Sequence, residues 1–217
     1  MTPRKKLWGS TRRLLHFRIA WRALDAGVFV AYGASFAAIG LGWLFLRNND
    51  LPEKAANAAI RFTTGLAMVF CISSLTSALA IRRSPWSLAR SFPWSATQRV
   101  VQDALFLAGH ALPIPLLVAI RTGMPALVSL TILPFVSLAA AGYLRQIPDE
   151  PRYTYVLLCE ASLAVALITL LPWTALAWIL MSIPALRRAV RWEQRQKITR
   201  WSDWQLLGPD TSPRNAG

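Results

Sequence analysis

Long apolar segments are the feature that most limits what this chain can fold into. In hydrocarbon a backbone must satisfy its own hydrogen bonds, and an α-helix of roughly 20 residues does so while crossing a bilayer. Four runs have this character, at residues 25–46, 60–81, 101–120 and 125–144. Charged residues make up only 16% of the chain, against about 25% in soluble domains. The sequence therefore predicts an all-α, polytopic integral membrane protein.

A fifth apolar segment, residues 153–186, is open to two interpretations. It is too long for one crossing and slightly short for two, and Pro172 lies near its middle. A tight turn at Leu171-Pro172-Trp173 would give two short spans, at 153–170 and 173–186. The alternative is a single long helix with a kink. The first interpretation gives six spans and the second gives five.

The distribution of positive charge favours six spans. Lys and Arg in short loops mark the cytoplasmic side of a membrane protein. With six spans, 20 of the 24 Lys and Arg residues fall on one side, whereas five spans would move the basic C-terminal tail across. We therefore predict a membrane domain over residues 25–186, between basic cytoplasmic segments at 1–24 and 187–217. The expected location is a bacterial cytoplasmic (inner) membrane with both termini inside.

Both flanking segments are amphipathic. In the first, large apolar residues recur every three or four positions among arginines, from Leu14 to Leu24, which is typical of a helix lying flat at the membrane surface. The tail alternates basic residues with tryptophans and could lie along the membrane or pack on a partner. The net charge of +14 is best explained by anionic lipid headgroups, and we expect no nucleic-acid partner.

A short basic insert, residues 82–95, separates the second and third apolar runs and contains Pro-Trp-Ser twice. Ser84 followed by proline suits the start of a helix, which must end before Pro93. The insert is therefore predicted to form a stubby amphipathic helix on the cytoplasmic face. Its tryptophans and arginines suit either an anchor at headgroup depth or a docking element for a cytoplasmic protein.

Local signals also mark the third and fourth spans. Ser95 followed by Gln98 matches a capping box, so the third span is expected to start about Ala96. Prolines inside the third and fourth spans remove backbone donors and bend helices. Those prolines are Pro113, Pro115 and Pro134.

This layout resembles the membrane-spanning permease subunit of type-2 ABC exporters. The phrase Ser91-Phe92-Pro93-Trp94-Ser95 stands where these permeases have a Leu-Pro-hydrophobic-Ser phrase, just before the third span. The resemblance implies that residues 14–24 form an elbow helix and residues 84–92 a coupling helix that docks on a separate ATP-binding subunit. It also implies a dimer, with a second copy or a second permease, and alternating access. The implied docking residues are Trp86, Leu88, Arg90 and Phe92.

Several chemistries are not expected from this sequence. It has no Walker A loop, so ATP hydrolysis would belong to a partner subunit. It lacks clustered aspartates and has only two histidines, so we expect no enzyme activity, cofactor or metal site. The expected function is export of a hydrophobic or amphipathic substrate. The alternatives are a non-transporting membrane anchor or assembly factor that recruits a soluble partner and, less favoured, an integral-membrane lipid-modifying enzyme.

Two ionisable residues fall within predicted spans and are candidate intramembrane polar sites. His110 is either functional or a neutral imidazole bonded to a carbonyl that a nearby proline frees. Glu160 either pairs with a cationic residue such as Arg152 or faces a polar pathway. Asp103, near the cytoplasmic mouth of the third span, is expected to be solvated or paired with Arg99.

Overall fold

The computed structural model describes residues 27–48, 51–82, 95–145 and 152–206. Within these ranges the chain forms α-helices and short 3₁₀ segments and no strand, so the predicted all-helical fold is confirmed for the part described. The α-helices are α1 (Gly27–Asn48), α2 (Glu53–Arg82), α3 (Ala96–Ala111), α4 (Pro113–Thr122), α5 (Met124–Val128), α6 (Leu133–Tyr143), α7 (Arg152–Leu170) and α8 (Ala175–Leu206).

Four helical segments are long and apolar enough to cross a membrane. Each contains most of one of the four predicted apolar runs. Large apolar side chains such as Phe29 and Ile120 remain largely exposed on the outer surface, where hydrocarbon would cover them. The segments are Gly27–Arg47, Glu53–Ala80, Ala96–Thr122 and Met124–Tyr143.

The fifth apolar segment turns at the predicted position. Helix α7 ends at Leu170, a 3₁₀ turn covers Pro172–Thr174, and α8 begins at Ala175. Arg188 of α8 is bonded to Glu160 of α7, so the chain folds back on itself rather than continuing as one kinked helix. Helix α8 runs without interruption to Leu206, so the basic tail begins as an extension of this last helix.

The start of α3 is fixed by the predicted capping box. The Ser95 hydroxyl accepts a hydrogen bond from the Gln98 backbone N–H at 3.2 Å, and the Ser95 N–H donates to Gln98 Oε1 at 3.0 Å. The helix begins at Ala96, as predicted. The prolines lie at helix starts, because α3 gives way to α4 at Pro113, and Pro134 lies in the first turn of α6.

Helix α2 lies at the centre of the bundle and contacts α1, α3 and α7. Its buried side chains, such as Met68 and Ile72, belong to a core that also contains Phe106 of α3 and Ile168 of α7. Helices α1 and α2 approach closely at Gly42, where an added Cβ would lie 2.4 Å from a methyl group of Thr63.

The predicted elbow helix and the predicted coupling helix lie outside the described residues. Helix α2 ends at Arg82 and α3 begins at Ala96, and the insert joins these two points. We call the end of the bundle that contains them the insert end.

Candidate functional site

A buried group of four charged side chains joins three helical segments at the insert end, and we call it the ion cluster. Arg99 and Asp103 lie on α3, Arg145 just after α6, and Glu193 on α8. Arg145 Nη2 donates to Asp103 Oδ2 at 2.7 Å, and its Nε donates to Glu193 Oε2 at 2.8 Å. Arg99 Nη1 donates to the other oxygen of Glu193 at 3.2 Å. Two cations therefore balance two anions.

Burial makes this arrangement costly unless every charge is paired. Arg145 is 1% exposed, Glu193 0% and Asp103 8%. Taking an ion out of water costs several kcal/mol even after relaxation, and pairing with good geometry is what offsets that cost. The third nitrogen of Arg145, Nη1, donates to the Ala141 carbonyl, so each nitrogen of this guanidinium has a partner. The arginine is thus held in one position between the three helical segments.

Small residues allow the three segments to come close enough for these pairs to form. Ala104, Ala141 and Ala189 pack together beside the ion cluster in a separate small apolar core. Gly142 contributes as well, because a Cβ there would lie 3.1 Å from the Trp192 ring and 3.2 Å from Ala189. Small side chains at helix contacts permit close approach of backbones in membrane proteins.

The structure changes the interpretation of Asp103 and adds two residues that sequence reasoning missed. Asp103 is buried rather than solvated, and it accepts a hydrogen bond from Arg145 of another helical segment. Arg145 and Glu193 were assigned to a cytoplasmic loop and tail. A usable signal was present, since an alanine precedes each of them by one helical turn, which puts a small residue and a charge on the same face.

Glu160 pairs with a cationic residue, Arg188 of the neighbouring helix α8. The side chain of Arg152, the predicted example, lies outside the described part of the structure. Arg188 Nη1 donates to Glu160 Oε1 and Nη2 donates to Oε2, each at 2.9 Å. The side chains of Arg188 and Glu160 are 35% and 27% exposed, so this pair is only partly buried. Arg188 also lies 5.5 Å from the centre of the Trp192 ring. Hydrogen bonding to Glu160 raises the pKa of Arg188, so this residue remains cationic.

His110 is held within its own helix. Its Nδ1 lies 2.8 Å from the carbonyl oxygen of Phe106, one turn earlier, so Nδ1 carries the proton and donates. This carbonyl is not one that Pro113 or Pro115 frees, since those lie four residues before each proline. The backbone carbonyl of His110 accepts a hydrogen bond from the Tyr32 hydroxyl at 2.9 Å, which ties α1 to α3 near the break at Pro113.

A cavity of about 320 Å³ lies between α6, α7 and α8, with the Glu160–Arg188 pair in its wall. Phe135, Leu163 and Trp178 supply much of its apolar lining. The described residues contain no group of three or more His, Cys, Asp or Glu side chains that could hold a metal ion.

Comparisons with protein-family models, with curated proteins and with solved structures find no match to this chain. The predicted docking residues Trp86, Leu88, Arg90 and Phe92 lie outside the described residues. Their role stays a prediction, and a functional proposal has to start from the geometry at the insert end.

Proposed function

We propose that this protein is the membrane-spanning subunit of an ABC-type exporter. It crosses a bacterial inner membrane six times with both termini in the cytoplasm, and it functions as a dimer. A separate ATP-binding subunit docks on the insert and drives alternating access. The cargo is hydrophobic or amphipathic.

The position of the ion cluster is the observation that carries this proposal. Arg99 and Asp103 lie four and eight residues after Ser95, in the first two turns of the helix that follows the insert. A displacement of the insert would act directly on the start of α3. The bonds from this helix to Arg145 and Glu193 would then pass the displacement to the end of α6 and to α8. A subunit that converts movement of a cytoplasmic partner into movement of its spans needs such a connection.

The capping box makes the link between insert and helix stiff. Its two reciprocal hydrogen bonds satisfy backbone donors at the N-terminus of α3 and hold Ser95 to the first turn of the helix. A mobile entry would absorb a displacement before it reached Arg99.

The ion cluster also supports an even number of crossings after the fourth span. Arg145 lies just after α6, and the chain then runs through α7 and α8 before Glu193 meets Arg145 again. One pass in each direction brings the chain back to the insert end. The excess of Lys and Arg on this side favours the cytoplasm as its location.

The proposal is tested by affinity purification of the tagged full-length chain in mild detergent. We expect an ATPase with a Walker A motif to co-purify, and we expect the Trp86→Ala, Phe92→Ala double variant to lose it. The matched control is Leu170→Ala with Trp173→Ala, since both side chains are largely exposed and lie next to the α7–α8 turn, away from the insert. This control should retain the partner.

Reconstitution provides the second measurement. The purified complex in liposomes should hydrolyse ATP faster than the ATPase subunit alone, and the docking variant should abolish that stimulation. A complex that stays intact in the docking variant would remove the assigned role of the insert. A partner without ATPase activity would favour the anchor or assembly factor instead.

A further inference from the structure

We propose that the cavity between α6, α7 and α8 is a binding site for an anionic phospholipid. The phosphate of the headgroup would contact Arg191, and the upper part of an acyl chain would lie against the apolar wall. This inference goes beyond the exporter proposal and does not depend on it, because it rests on residues of α6, α7 and α8 rather than on the insert and needs no ATPase.

One face of α8 changes from apolar to cationic along its length. Trp178, Met181, Ala185, Arg188 and Arg191 all line the cavity, at steps of three or four residues that keep them on one side of the helix. At 1.5 Å per residue the stripe is about 20 Å long. An amphiphile lying along it would place its chain at one end and its charge at the other.

The apolar end of the cavity is suited to hydrocarbon. The rings of Phe135 and Trp178 pack against each other with centroids 5.0 Å apart and close the inner wall. Leu163 and Met181 are about half exposed, so the outer side is open to the surroundings of the bundle. The volume of about 320 Å³ lies within the range of small-molecule sites. A chain could therefore enter from the side without any helix moving.

The charged end carries an excess of positive charge. Glu160 already neutralises Arg188 through two hydrogen bonds. Arg191 is exposed, and among the described residues it has no carboxylate partner; its Nε donates to the Arg187 carbonyl at 3.4 Å. A guanidinium matches the geometry of a phosphate with two parallel N–H donors. The site thus has one cation available for an anionic headgroup.

The apolar stripe distinguishes a lipid from free phosphate as the source of that anion. A free phosphate could contact Arg191, but Trp178, Met181 and Leu163 would add nothing to its binding free energy. A lipid gains from both ends, since burial of its methylene groups adds to the contact at the headgroup. We therefore assign the site to a lipid.

Native mass spectrometry of the full chain released from maltoside micelles tests this assignment, with phosphatidylglycerol as the titrated lipid. We expect Arg191→Gln to weaken binding of the first lipid about tenfold, as loss of a charge-assisted hydrogen bond would. Leu163→Trp fills the cavity from its open side and should weaken binding similarly. Arg187→Gln is the matched control, because it removes the same charge from the same helix but does not line the cavity. It should cause a clearly smaller loss.

Further arms separate the sources of the anion. Phosphatidylcholine, whose headgroup has no net charge, should bind more weakly than phosphatidylglycerol. Millimolar inorganic phosphate should leave lipid binding unchanged, and complete displacement by phosphate would overturn the lipid assignment. Equal losses for Arg191→Gln and Arg187→Gln would show general attraction to a basic surface, and an unaffected Leu163→Trp would show that the cavity is not the site. Either result would also overturn the proposal.

Discussion

Helix α8 contributes to two ionic arrangements that differ in almost every physical respect. Glu193 belongs to the ion cluster, which has four groups on three helical segments and is almost fully buried. Arg188, five positions earlier, belongs to a two-residue pair that is about one third exposed. At 100° per residue the two side chains point about 140° apart. One helix thus carries a closed ionic contact on one face and an open one on the other.

The neighbours of each arrangement explain the difference. Alanines and Gly142 surround the ion cluster and allow the backbones to close around it. Larger side chains such as Phe135 and Trp178 lie beside Glu160 and Arg188, and they leave a cavity between the helices. Closed packing makes the loss of one partner expensive, because the other charge stays buried. A partly exposed pair stays in contact with solvent, so removing one partner costs little stability.

The largest expected effect tests the closed arrangement directly. Arg145→Met leaves Asp103 and Glu193 without their shared cation, and we expect a loss of about 3–5 kcal/mol in the free energy of unfolding. The measurement is unfolding from maltoside micelles by titration with dodecyl sulfate. Arg121→Met is the control, since Arg121 is exposed and faces the Trp43 ring at 5.9 Å. If both variants lost the same small amount, the ion cluster would be no more costly to break than a surface contact.

A smaller loss is expected when the cluster keeps its central pair. Asp103→Asn removes one negative charge, but the amide oxygen still accepts from Arg145, and the Arg145–Glu193 pair remains. We expect a cost of about 2 kcal/mol, typical of losing a hydrogen bond to a charged group. Unfolding under the same conditions measures it. A cost equal to that of Arg145→Met would mean that the four charges act as one unit.

The elements of this fold were predictable where local signals specify them. The apolar runs gave the helices because hydrocarbon allows only internal backbone hydrogen bonds. Ser95 and Gln98 gave the start of α3, and Pro172 gave the turn before α8, because capping and proline effects act within a few residues. The continuation of α8 to Leu206 was not predicted, because the change from apolar to basic composition at residue 187 indicates the end of a span and not whether the helix continues.

The ion cluster was not predictable by the same means. Its bonds join residues 42, 48 and 94 positions apart, and which charges meet depends on how the helices pack. Hydropathy marks Arg145 and Glu193 only as polar residues near the ends of spans. The partner of Glu160 lies 28 positions away in the sequence and could not be predicted for the same reason. Small residues near the charges were the one local signal. They indicate close helix packing but do not predict which charged residues form pairs.

The stability contributed by the N-cap of α3 can be measured separately from that of the ion cluster. Ser95→Ala removes the hydroxyl that accepts from the Gln98 N–H, and we expect a loss of about 1 kcal/mol, the usual value for an N-cap. Thr97→Ala is the control, since Thr97 is exposed in the same turn. The same dodecyl sulfate titration applies to both. A loss several times larger for Ser95→Ala would mean that the cap also positions Arg99 and Asp103 for pairing.

The smallest effect is expected at the partly exposed Glu160–Arg188 pair. It tests whether this pair and the ion cluster differ as their burial predicts. A double-mutant cycle with Glu160→Gln and Arg188→Gln isolates the coupling between the two side chains, because the contact of Arg188 with the Trp192 ring cancels in the cycle. We expect a coupling of about 1 kcal/mol or less, as for partly exposed pairs. Raising the salt concentration should weaken it further, since the screening length falls to about 3 Å at 1 M. The cost of Arg145→Met should not respond to salt in this way. A coupling at Glu160 and Arg188 as large as the cost of Arg145→Met, and equally indifferent to salt, would show that the cavity does not admit ions and that the two faces of α8 are equally closed.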